Sequence, residues 1–275
     1  MKKFNIGLQL YSVRSAMAAD FEGTLKAVSE IGYKYVEFAG YFGKSAEEIK
    51  ALLEKYSLKC ESVHQTLSIN DEKKASGEIE FLKSLGVKYV FIPWYEKTKL
   101  AGTDAWGETL ENFKKMSALL KENGMTLGYH NHDFEFAVHD GKYLHDHIFD
   151  EIGLDNIIPE LDTCWVRYAG LDPAAKIREF KGYVPVVHLK DFTCKNLASG
   201  PVYALIGGAA ASNEDNGFKY RPVGSGMQNF DEILAACEES GTDTVIVEQD
   251  QCYEEGELNA VKSSYDYLKE RYDFN

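Results

Sequence analysis

Acidic and imidazole side chains recur in four short segments of the chain, each at the end of an apolar stretch of strand length. The segments are 129–135 (YHNHDFE), 160–162 (ELD), 188–191 (HLKD) and 248–250 (EQD). If the fold brings these segments together, their carboxylates raise one another's pKa, and a divalent cation would remove that electrostatic cost. Carboxylate oxygens combined with imidazole nitrogens suit Mn²⁺, Mg²⁺, Co²⁺ or Zn²⁺. The pattern therefore predicts one divalent metal ion where the four segments meet.

Each segment taken alone also has an ordinary structural explanation. A histidine at a strand end is commonly a hydrogen-bonded structural residue, and Asp162 is placed to cap a following helix. The metal prediction depends on the coincidence of four segments, which these separate explanations account for poorly. It therefore requires a fold in which the ends of several strands converge.

Stretches of strand length alternate with stretches of helical periodicity along the chain. The predicted strands are Phe4–Ser12, Tyr35–Gly40, Lys59–Leu67, Lys88–Tyr95, Met125–His132, Ile157–Val166, Val184–Phe192 and Asp243–Asp250. Several are nearly continuous in β-branched or aromatic residues, which is typical of parallel strands buried on both faces. A helical stretch such as the one containing Phe230, Ile233, Leu234 and Cys237 carries its apolar residues on one stripe. Eight such units predict a (β/α)8 TIM barrel that forms a single domain over residues 1–275.

A doubly wound open sheet is the alternative architecture. It is weakened because no G-x-G-x-x-G follows the first strand. Segment 193–228 exceeds the length of an ordinary strand-to-helix connection and is rich in Gly, Ala, Ser and Asn. We expect a long loop there, either a mobile lid over the barrel mouth or a disordered surface excursion. In a TIM barrel the carboxyl ends of the strands meet at one mouth, so the four ionisable segments are expected to converge.

Composition narrows the classes of partner and location. The chain has 44 acidic residues and 30 Lys and Arg, which gives a formal net charge of −14. This charge argues against binding to nucleic acid or to an anionic membrane. The five cysteines are widely spaced and contain no C-x-x-C, so free thiols in a reducing compartment are expected. No apolar run approaches the roughly 20 residues that span a bilayer. We expect a soluble cytoplasmic protein, and the sequence is compatible with a homo-oligomer.

Seven segments together resemble the sugar phosphate isomerase/epimerase family, which belongs to the xylose-isomerase-like TIM barrels. They are GLQLYSVR (7–14), YHNHDFEF (129–136), ELDTCWV (160–166), GLDP (170–173), HLKD (188–191), VGSG (223–226) and VIVEQD (245–250). The resemblance follows the chain in order over essentially its whole length. None of the motifs is specific alone, and their specificity lies in the set.

The resemblance implies a divalent metal held by an acid after the fifth strand, an Asp on the sixth, a His on the seventh and a Glu on the eighth. Asp162, His188 and Glu248 match the last three positions. At the first position many relatives carry Glu before Asn-His, whereas this chain carries His130. We assign the fifth-strand ligand to Glu135, because an acid is still available there, and keep His130 as the alternative.

Further residues near the predicted strand ends, and Arg221 beyond the start of the long loop, are candidates for substrate contact. They are Gln9, His64, His130, His132, Trp165, Asp191 and Arg221. A structural role competes with each assignment: a packed histidine for His64, a core aromatic for Trp165 and a solvated surface residue for Arg221. No glycine-rich phosphate cradle is evident, so a phosphorylated substrate is not required.

The metal site and the resemblance together predict a divalent-metal-dependent isomerase or epimerase that acts on a sugar or keto-sugar. Glu135 and Glu248 would serve as acid and base on opposite faces of a carbon next to a carbonyl, through an enediolate. Lys190 would balance the negative charge that develops on oxygen. The same chemistry can expel a β-substituent, so a dehydratase or lyase acting on an inosose or 3-keto-glycoside is the alternative.

Two alternatives belong to other functional classes. Relatives in the same barrel family hydrolyse abasic-site DNA, but the net charge and the small number of histidines argue against a nuclease with several metals. A non-catalytic carbohydrate-binding protein is the other alternative, and the complete four-strand ligand set argues against it.

Overall fold

The computed structural model describes residues 3–198, 216–253 and 255–275. Eight parallel strands close into a barrel in the order β1-β12-β9-β8-β5-β4-β3-β2. The barrel strands are β1 Asn5–Gln9, β2 Tyr35–Phe38, β3 Lys59–His64, β4 Tyr89–Ile92, β5 Thr126–His130, β8 Ile158–Asp162, β9 Val186–Leu189 and β12 Thr244–Val247. The pairs β6 (Val138–His139) with β7 (Lys142–Tyr143) and β10 (Asp191–Thr193) with β11 (Lys219–Arg221) form small antiparallel sheets. The closed barrel confirms the predicted (β/α)8 fold and excludes the open sheet.

Helices pack around the outside of the barrel. Within the described residues they are α1 Arg14–Ala19, α2 Phe21–Ile31, α3 Ala46–Lys55, α4 Glu72–Leu85, α5 Trp106–Glu122, α6 Leu144–Ile152, α7 Thr163–Tyr168, α8 Pro173–Glu179, α9 Phe230–Ser240 and α10 Glu257–Arg271. Helix α9 shows why they form: Asn229 caps its first turn, Gly241 ends it in the left-handed conformation, and the predicted apolar stripe is buried. No helix in the described part of the chain has both the length and the apolar character needed to cross a membrane.

Side chains inside the barrel lie in layers because alternate residues of each strand point inward. Phe91, Ile158, Val186 and Ile246 form a buried apolar floor. Glycine is required at position 128, because a Cβ there would collide with the Phe91 ring. On strands β8, β9 and β12, or just beyond their ends, the residues two and four positions after the floor residue are ionisable. They form the next layers of the barrel interior. The floor therefore sets the height at which the polar interior begins.

Local hydrogen bonds shorten some of the predicted strands. The sixth predicted strand, Ile157–Val166, ends at Asp162, because that carboxylate caps helix α7. Trp165 consequently lies on a helix rather than on a strand. Part of the predicted loop 193–228 is ordered, since β10 pairs with β11 through Asp191–Arg221, Phe192–Tyr220 and Thr193–Lys219. Residues 199–215 of that loop lie outside the described residues.

Candidate active site and metal centre

Four ionisable side chains converge at the carboxyl end of the barrel. His130, Asp162, His188 and Glu248 each offer one ligand atom, and these atoms all lie within 4.8 Å of one another. All four residues are buried. They come from β5, β8, β9 and the residue following β12, as expected for a site at the mouth of a TIM barrel. We refer to these four residues as the mouth cluster.

Asp162 uses its two carboxylate oxygens differently. Oδ1 accepts the backbone N–H groups of Cys164 (2.8 Å) and Trp165 (3.3 Å), which caps helix α7. Oδ2 faces the cluster, 3.6 Å from His130 Nε2 and 2.8 Å from Lys190 Nζ. The helix-capping role and the cluster role considered from the sequence are therefore both present. The cap fixes the orientation in which Oδ2 is presented.

Glu135 lies outside the mouth cluster. It follows β5 in a single 3₁₀ turn, Phe134–Phe136, which directs its carboxylate back onto the outer side of that strand. Oε1 accepts the Tyr129 hydroxyl and Oε2 accepts the His132 N–H, both at 2.8 Å. Burial raises the pKa of Glu135 to about 8. This corrects the assignment of Glu135 as the fifth-strand ligand and as the partner of Glu248 across the ion; His130, the alternative, occupies that place.

Lys190 brings a positive charge to the rim of the cluster. Its Nζ lies 2.8 Å from Asp162 Oδ2, 2.9 Å from Glu248 Oε2 and 3.1 Å from Asp250 Oδ2. Burial alone would lower the pKa of Lys190, but these carboxylates raise it well above its usual value. The ammonium also lies 5.1 Å from the centre of the Trp165 ring. Lys190 is therefore a fixed cation beside the predicted ligands.

Beneath the mouth cluster lies an inner layer formed by Glu37, His64 and Glu160. His64 Nε2 lies 2.6 Å from Glu160 Oε2 and 3.0 Å from Glu37 Oε1. Burial would raise the pKa of Glu37, but His64 and His188 lower it. Burial would lower the pKa of His64, but Glu37 and Glu160 raise it to about 10. The inner layer is thus a buried ion-paired network in direct contact with the cluster.

Gln9 belongs to this inner layer. Its Nε2 donates to Glu37 Oε1 at 2.7 Å, and its Oε1 accepts the Tyr11 N–H at 3.0 Å. Gln9 is fully buried and does not line the cavity described below. The predicted substrate contact is therefore corrected to a role in holding Glu37.

A cavity of about 280 Å³ opens above the cluster. Its ionisable lining residues are His64, His130, His132, Lys190, Glu248 and Asp250. Trp94 forms part of the same wall and is 40% exposed. Burial lowers the pKa of His132 well below its usual value and raises that of Asp250 to about 7. The cavity thus joins the predicted ligands to an opening edged by an accessible aromatic ring.

Trp165 does not reach this cavity, in contrast to the prediction that it contacts substrate. It is fully buried and stacks against Phe218 at 6.1 Å between ring centres, with Tyr220 edge-on at 6.0 Å. Strand alternation does not apply to Trp165, because it follows the cap of helix α7. Trp94, which the sequence placed near the end of the fourth strand, has the exposed ring instead.

Asp191 is also turned away from the cavity. Its Oδ2 accepts the N–H groups of Gly224 (3.0 Å) and Gly226 (2.8 Å), and its Oδ1 accepts those of Phe192 (2.9 Å) and Gln228 (3.2 Å). A Cβ at Gly226 would collide with this carboxylate. The predicted substrate contact is therefore corrected: Asp191 fastens segment 224–228.

Arg221 lies on β11, in register with Asp191. Its Nε donates to Thr193 Oγ1 at 3.3 Å, and the residue does not line the cavity. The predicted clamp on an anionic substrate group is corrected to a contact within the small sheet. Of the seven predicted substrate contacts, the structure brings His64, His130 and His132 to the cavity.

The donor set of the mouth cluster fits a divalent ion. Two imidazoles and two carboxylates form a nitrogen and oxygen set that Zn²⁺, Mn²⁺ and Co²⁺ accept. Asp162 Oδ2 and Glu160 Oε1 are buried carboxylate oxygens without a hydrogen bond of normal geometry, and the cations beside them, Lys190 at 2.8 Å and His188 at 3.2 Å, are shared with other carboxylates. Such oxygens are costly to bury unless a cation neutralises them. The cluster therefore has the chemistry of an ion-binding site.

Comparison with known proteins agrees with this architecture. The family model for the xylose isomerase-like TIM barrel matches residues 25–271. The chain belongs to this family. A sugar phosphate isomerase/epimerase from Parabacteroides distasonis has the same fold, with a TM-score of 0.75 at 23% identity over 98% of both chains. The IolI protein, whose structure contains a zinc atom, superposes with a TM-score of 0.70 at 15% identity over 97% of both chains.

Among curated proteins, this xylose isomerase-like chain is similar to an inosose dehydratase from Clostridium perfringens. The two are 24% identical over 196 residues, which is 64% of this chain. The match spans 65% of the length of the curated relative. The proteins that this chain resembles in fold or in sequence therefore include ones named isomerase/epimerase and dehydratase.

Three residues of the site were visible in the sequence but received no role there. Glu160 and Asp250 stand two residues from Asp162 and Glu248, and Glu37 lies within the second predicted strand, Tyr35–Gly40. The period of two along a strand was the available signal, because it places residues i and i+2 on the same inward face. This period predicts that Glu160 lies on the same inward face as Asp162, one layer deeper in the barrel. It likewise predicts that Asp250 lies on the same face as Glu248, one layer closer to the mouth.

Proposed function

We propose that this protein binds one divalent metal ion through His130, Asp162, His188 and Glu248 and transfers a proton next to the carbonyl of an uncharged keto-sugar. The observation that carries the proposal is the convergence of these four donors within 4.8 Å beneath an open cavity. A bound divalent ion would supply a Lewis acid for substrate oxygens and stabilise the negative charge that develops as the proton leaves.

Residues of the chain supply the rest of the chemistry. Glu248 is the general base, since it lines the cavity and the nearby Lys190 and His188 lower its pKa against the effect of burial. His132 lies two residues beyond β5 and lines the cavity, and burial lowers its pKa; we assign it the exchange of a proton on the other side of the substrate. Lys190 balances negative charge on the substrate oxygen. Return of the proton to a different carbon or a different face gives isomerisation or epimerisation.

The charge of the cavity wall indicates an uncharged substrate. Lys190 contacts three carboxylates and His64 contacts two, so the cations of the described lining are already paired. The described lining therefore offers a phosphate or carboxylate of the substrate no side-chain cation that is free of a carboxylate partner. A neutral polyol or keto-sugar with hydroxyl groups fits better.

Elimination is the second candidate outcome of the same proton transfer. Asp250 adds a third carboxyl group beside Lys190 on the cavity wall, where it can give a proton to a leaving hydroxyl or aglycone. The similarity to a protein named inosose dehydratase favours the same outcome. Both outcomes use one site and differ in whether a bond to a β-substituent breaks.

The test is a screen in D₂O with the chain loaded with Mn²⁺, Co²⁺ or Zn²⁺. An inosose, a 3-keto-glycoside and a ketose with and without a phosphate are incubated, and deuterium incorporation and products are followed by NMR and mass spectrometry. We expect metal-dependent C–H exchange in a neutral substrate and none in the phosphorylated one. Release of water or aglycone identifies elimination, and a rearranged sugar identifies isomerisation. Absence of C–H exchange in every neutral keto-sugar would contradict the proposal.

A further inference from the structure

The two imidazoles of the mouth cluster are held from below by carboxylates of the inner layer. His130 Nδ1 lies 3.0 Å from Glu160 Oε2, and His188 Nε2 lies 2.9 Å from Glu37 Oε1 and 3.2 Å from Glu160 Oε1. The other ring nitrogens face the cluster, with His130 Nε2 near Asp162 and His188 Nδ1 at 2.8 Å from Glu248. His130 therefore presents its Nε2 atom to the cluster, whereas His188 presents its Nδ1 atom.

A neutral imidazole binds a metal through its unprotonated nitrogen, and the other nitrogen carries the proton. A carboxylate that accepts this proton fixes both the tautomer and the ring orientation. Glu37 and Glu160 are fully buried, and each lies within hydrogen-bond distance of a ring nitrogen that faces away from the cluster: Glu160 of His130 Nδ1 and Glu37 of His188 Nε2. They do not line the cavity, so they have no access to substrate.

We infer that Glu160 and Glu37 are positioning residues that set the tautomers of His130 and His188, with the proton on Nδ1 in the first ring and on Nε2 in the second. This inference rests on the proposed metal site and adds the residues that orient two of its ligands. Glu160 hydrogen-bonds His130 and Glu37 hydrogen-bonds His188, while Glu160 Oε1 only approaches His188 Nε2, at 3.2 Å.

The arrangement of the inner layer supports this division of roles. Glu37 is itself fixed by Gln9 Nε2 at 2.7 Å and by the Ser62 hydroxyl. His64 connects Glu37 to Glu160 through its Nε2 atom. Glu37 is therefore held by Gln9 and Ser62 and Glu160 by His64, independently of the two rings, and such support is what a carboxylate needs to orient a ligand.

The decisive variant is Glu160→Gln, which keeps the shape of the side chain and exchanges one acceptor oxygen for an NH₂ donor. A ring nitrogen that faces this NH₂ group must accept a hydrogen bond, so its proton moves to the nitrogen facing the cluster. Either orientation of the amide disturbs one ring, because the two carboxylate oxygens contact different histidines. We expect a loss of about 10- to 100-fold in affinity for Zn²⁺ or Co²⁺.

The measurements are metal affinity by calorimetry and the visible absorption spectrum of the Co²⁺-loaded chain, at equal folded fraction by circular dichroism. Glu37→Gln should weaken binding as well, and Glu78→Gln is the matched control. Glu78 lies on helix α4, far from the cluster residues in sequence. It is a partly buried carboxylate that accepts hydrogen bonds from the Ser68 N–H and the Ser68 hydroxyl. We expect the control to bind metal with unchanged affinity.

Three results would overturn the inference, and they separate it from the proposed function. Unchanged metal affinity and an unchanged Co²⁺ spectrum in Glu160→Gln would remove the positioning role while leaving the metal site intact. Two ions per wild-type chain, with one lost in Glu160→Gln, would make Glu160 a ligand instead. A wild-type chain that binds no divalent ion would remove both proposals. If Glu160→Gln does not fold, ¹⁵N shifts of the Zn²⁺-loaded wild type decide, since a proton on Nε2 of His130 contradicts the inference.

Discussion

Two groups of ionisable side chains in this molecule, each built around buried members, contrast sharply. One is the mouth cluster with its inner layer, and the other lies between helices α6 and α8. In the second group Lys176 Nζ contacts Asp146 Oδ1 at 2.7 Å and Glu179 Oε2 at 2.8 Å, and His145 Nδ1 lies 3.1 Å from the same Asp146 oxygen. The Lys176 ammonium also lies over the Phe180 ring at 5.3 Å.

The contrast lies in charge balance and access. The site at the mouth gathers five carboxylates around one lysine and three histidines, and two of its carboxylate oxygens accept no hydrogen bond of normal geometry. Between α6 and α8 two carboxylates share one lysine, and the one unpartnered atom is a ring nitrogen, His145 Nε2, next to aromatic rings. Buried charge alone therefore does not identify a functional site. An excess of acceptors beneath an open cavity does.

The largest effect should come from Glu248→Gln. The change keeps the shape of the side chain but removes the proposed base and one proposed ligand, so turnover should fall by about 10²- to 10⁴-fold and metal affinity should fall with it. The melting temperature should stay the same or rise, because one of several crowded carboxylates is neutralised. Steady-state kinetics and thermal unfolding measure the two effects. The control is Glu239→Gln, which removes a carboxylate from an exposed ion pair with Arg178. Near-normal turnover in Glu248→Gln would show that Glu248 takes no part in the mechanism.

Much of the mouth could be predicted from the sequence, because strand periodicity and the converging strand ends of a barrel are local and regular. This regularity placed the segments that contain Asp162, His188 and Glu248 at the mouth, and the resemblance to the family singled out these three residues. The same periodicity, applied strictly, separates Asp191 from Lys190, since adjacent strand residues point to opposite sides. It did not locate Glu135, because that residue lies in a 3₁₀ turn whose direction depends on the Tyr129 hydroxyl and the His132 N–H. Tertiary hydrogen bonds of this kind leave no pattern in the sequence.

A smaller effect, of the opposite kind, is expected between α6 and α8. Lys176→Met keeps the hydrocarbon stem but removes the ammonium, which leaves Asp146 with His145 as its remaining partner. We expect the free energy of unfolding at pH 7 to fall by about 1–3 kcal/mol, while turnover per folded molecule stays unchanged. Urea denaturation gives the first quantity. The exposed Lys181→Met is the matched control, and equal stability of Lys176→Met and Lys181→Met would show that this second group is energetically neutral.

The smallest effect concerns how the second group responds to pH. Burial lowers the pKa of His145 below 6.5, although its bond to Asp146 opposes this. Below pH 6.5 the unfolded chain therefore binds a proton at His145 more readily than the folded chain does. As a result, His145 makes the free energy of unfolding fall as the pH drops from 6.5 to 5. Asp146 does not add to the slope there, because its folded pKa is about 2 and its contribution is lost only below its unfolded value of 3.8.

His145→Phe tests this sign directly, because phenylalanine fits among the surrounding aromatic rings and does not titrate. Phe136, Phe149 and Phe180 surround the position, and the charged groups facing it are Asp146, Lys176 and Glu179. Between pH 6.5 and 5 the variant should lose less stability than the wild type, by at most about 1.4 kcal/mol per pH unit. Urea denaturation at several pH values measures the slope, with the more exposed His139→Gln as control. A steeper slope in His145→Phe would mean that the wild-type ring is stabilised as a cation. The group between α6 and α8 would then carry a second positive charge, and its contrast in charge with the mouth would have to be revised.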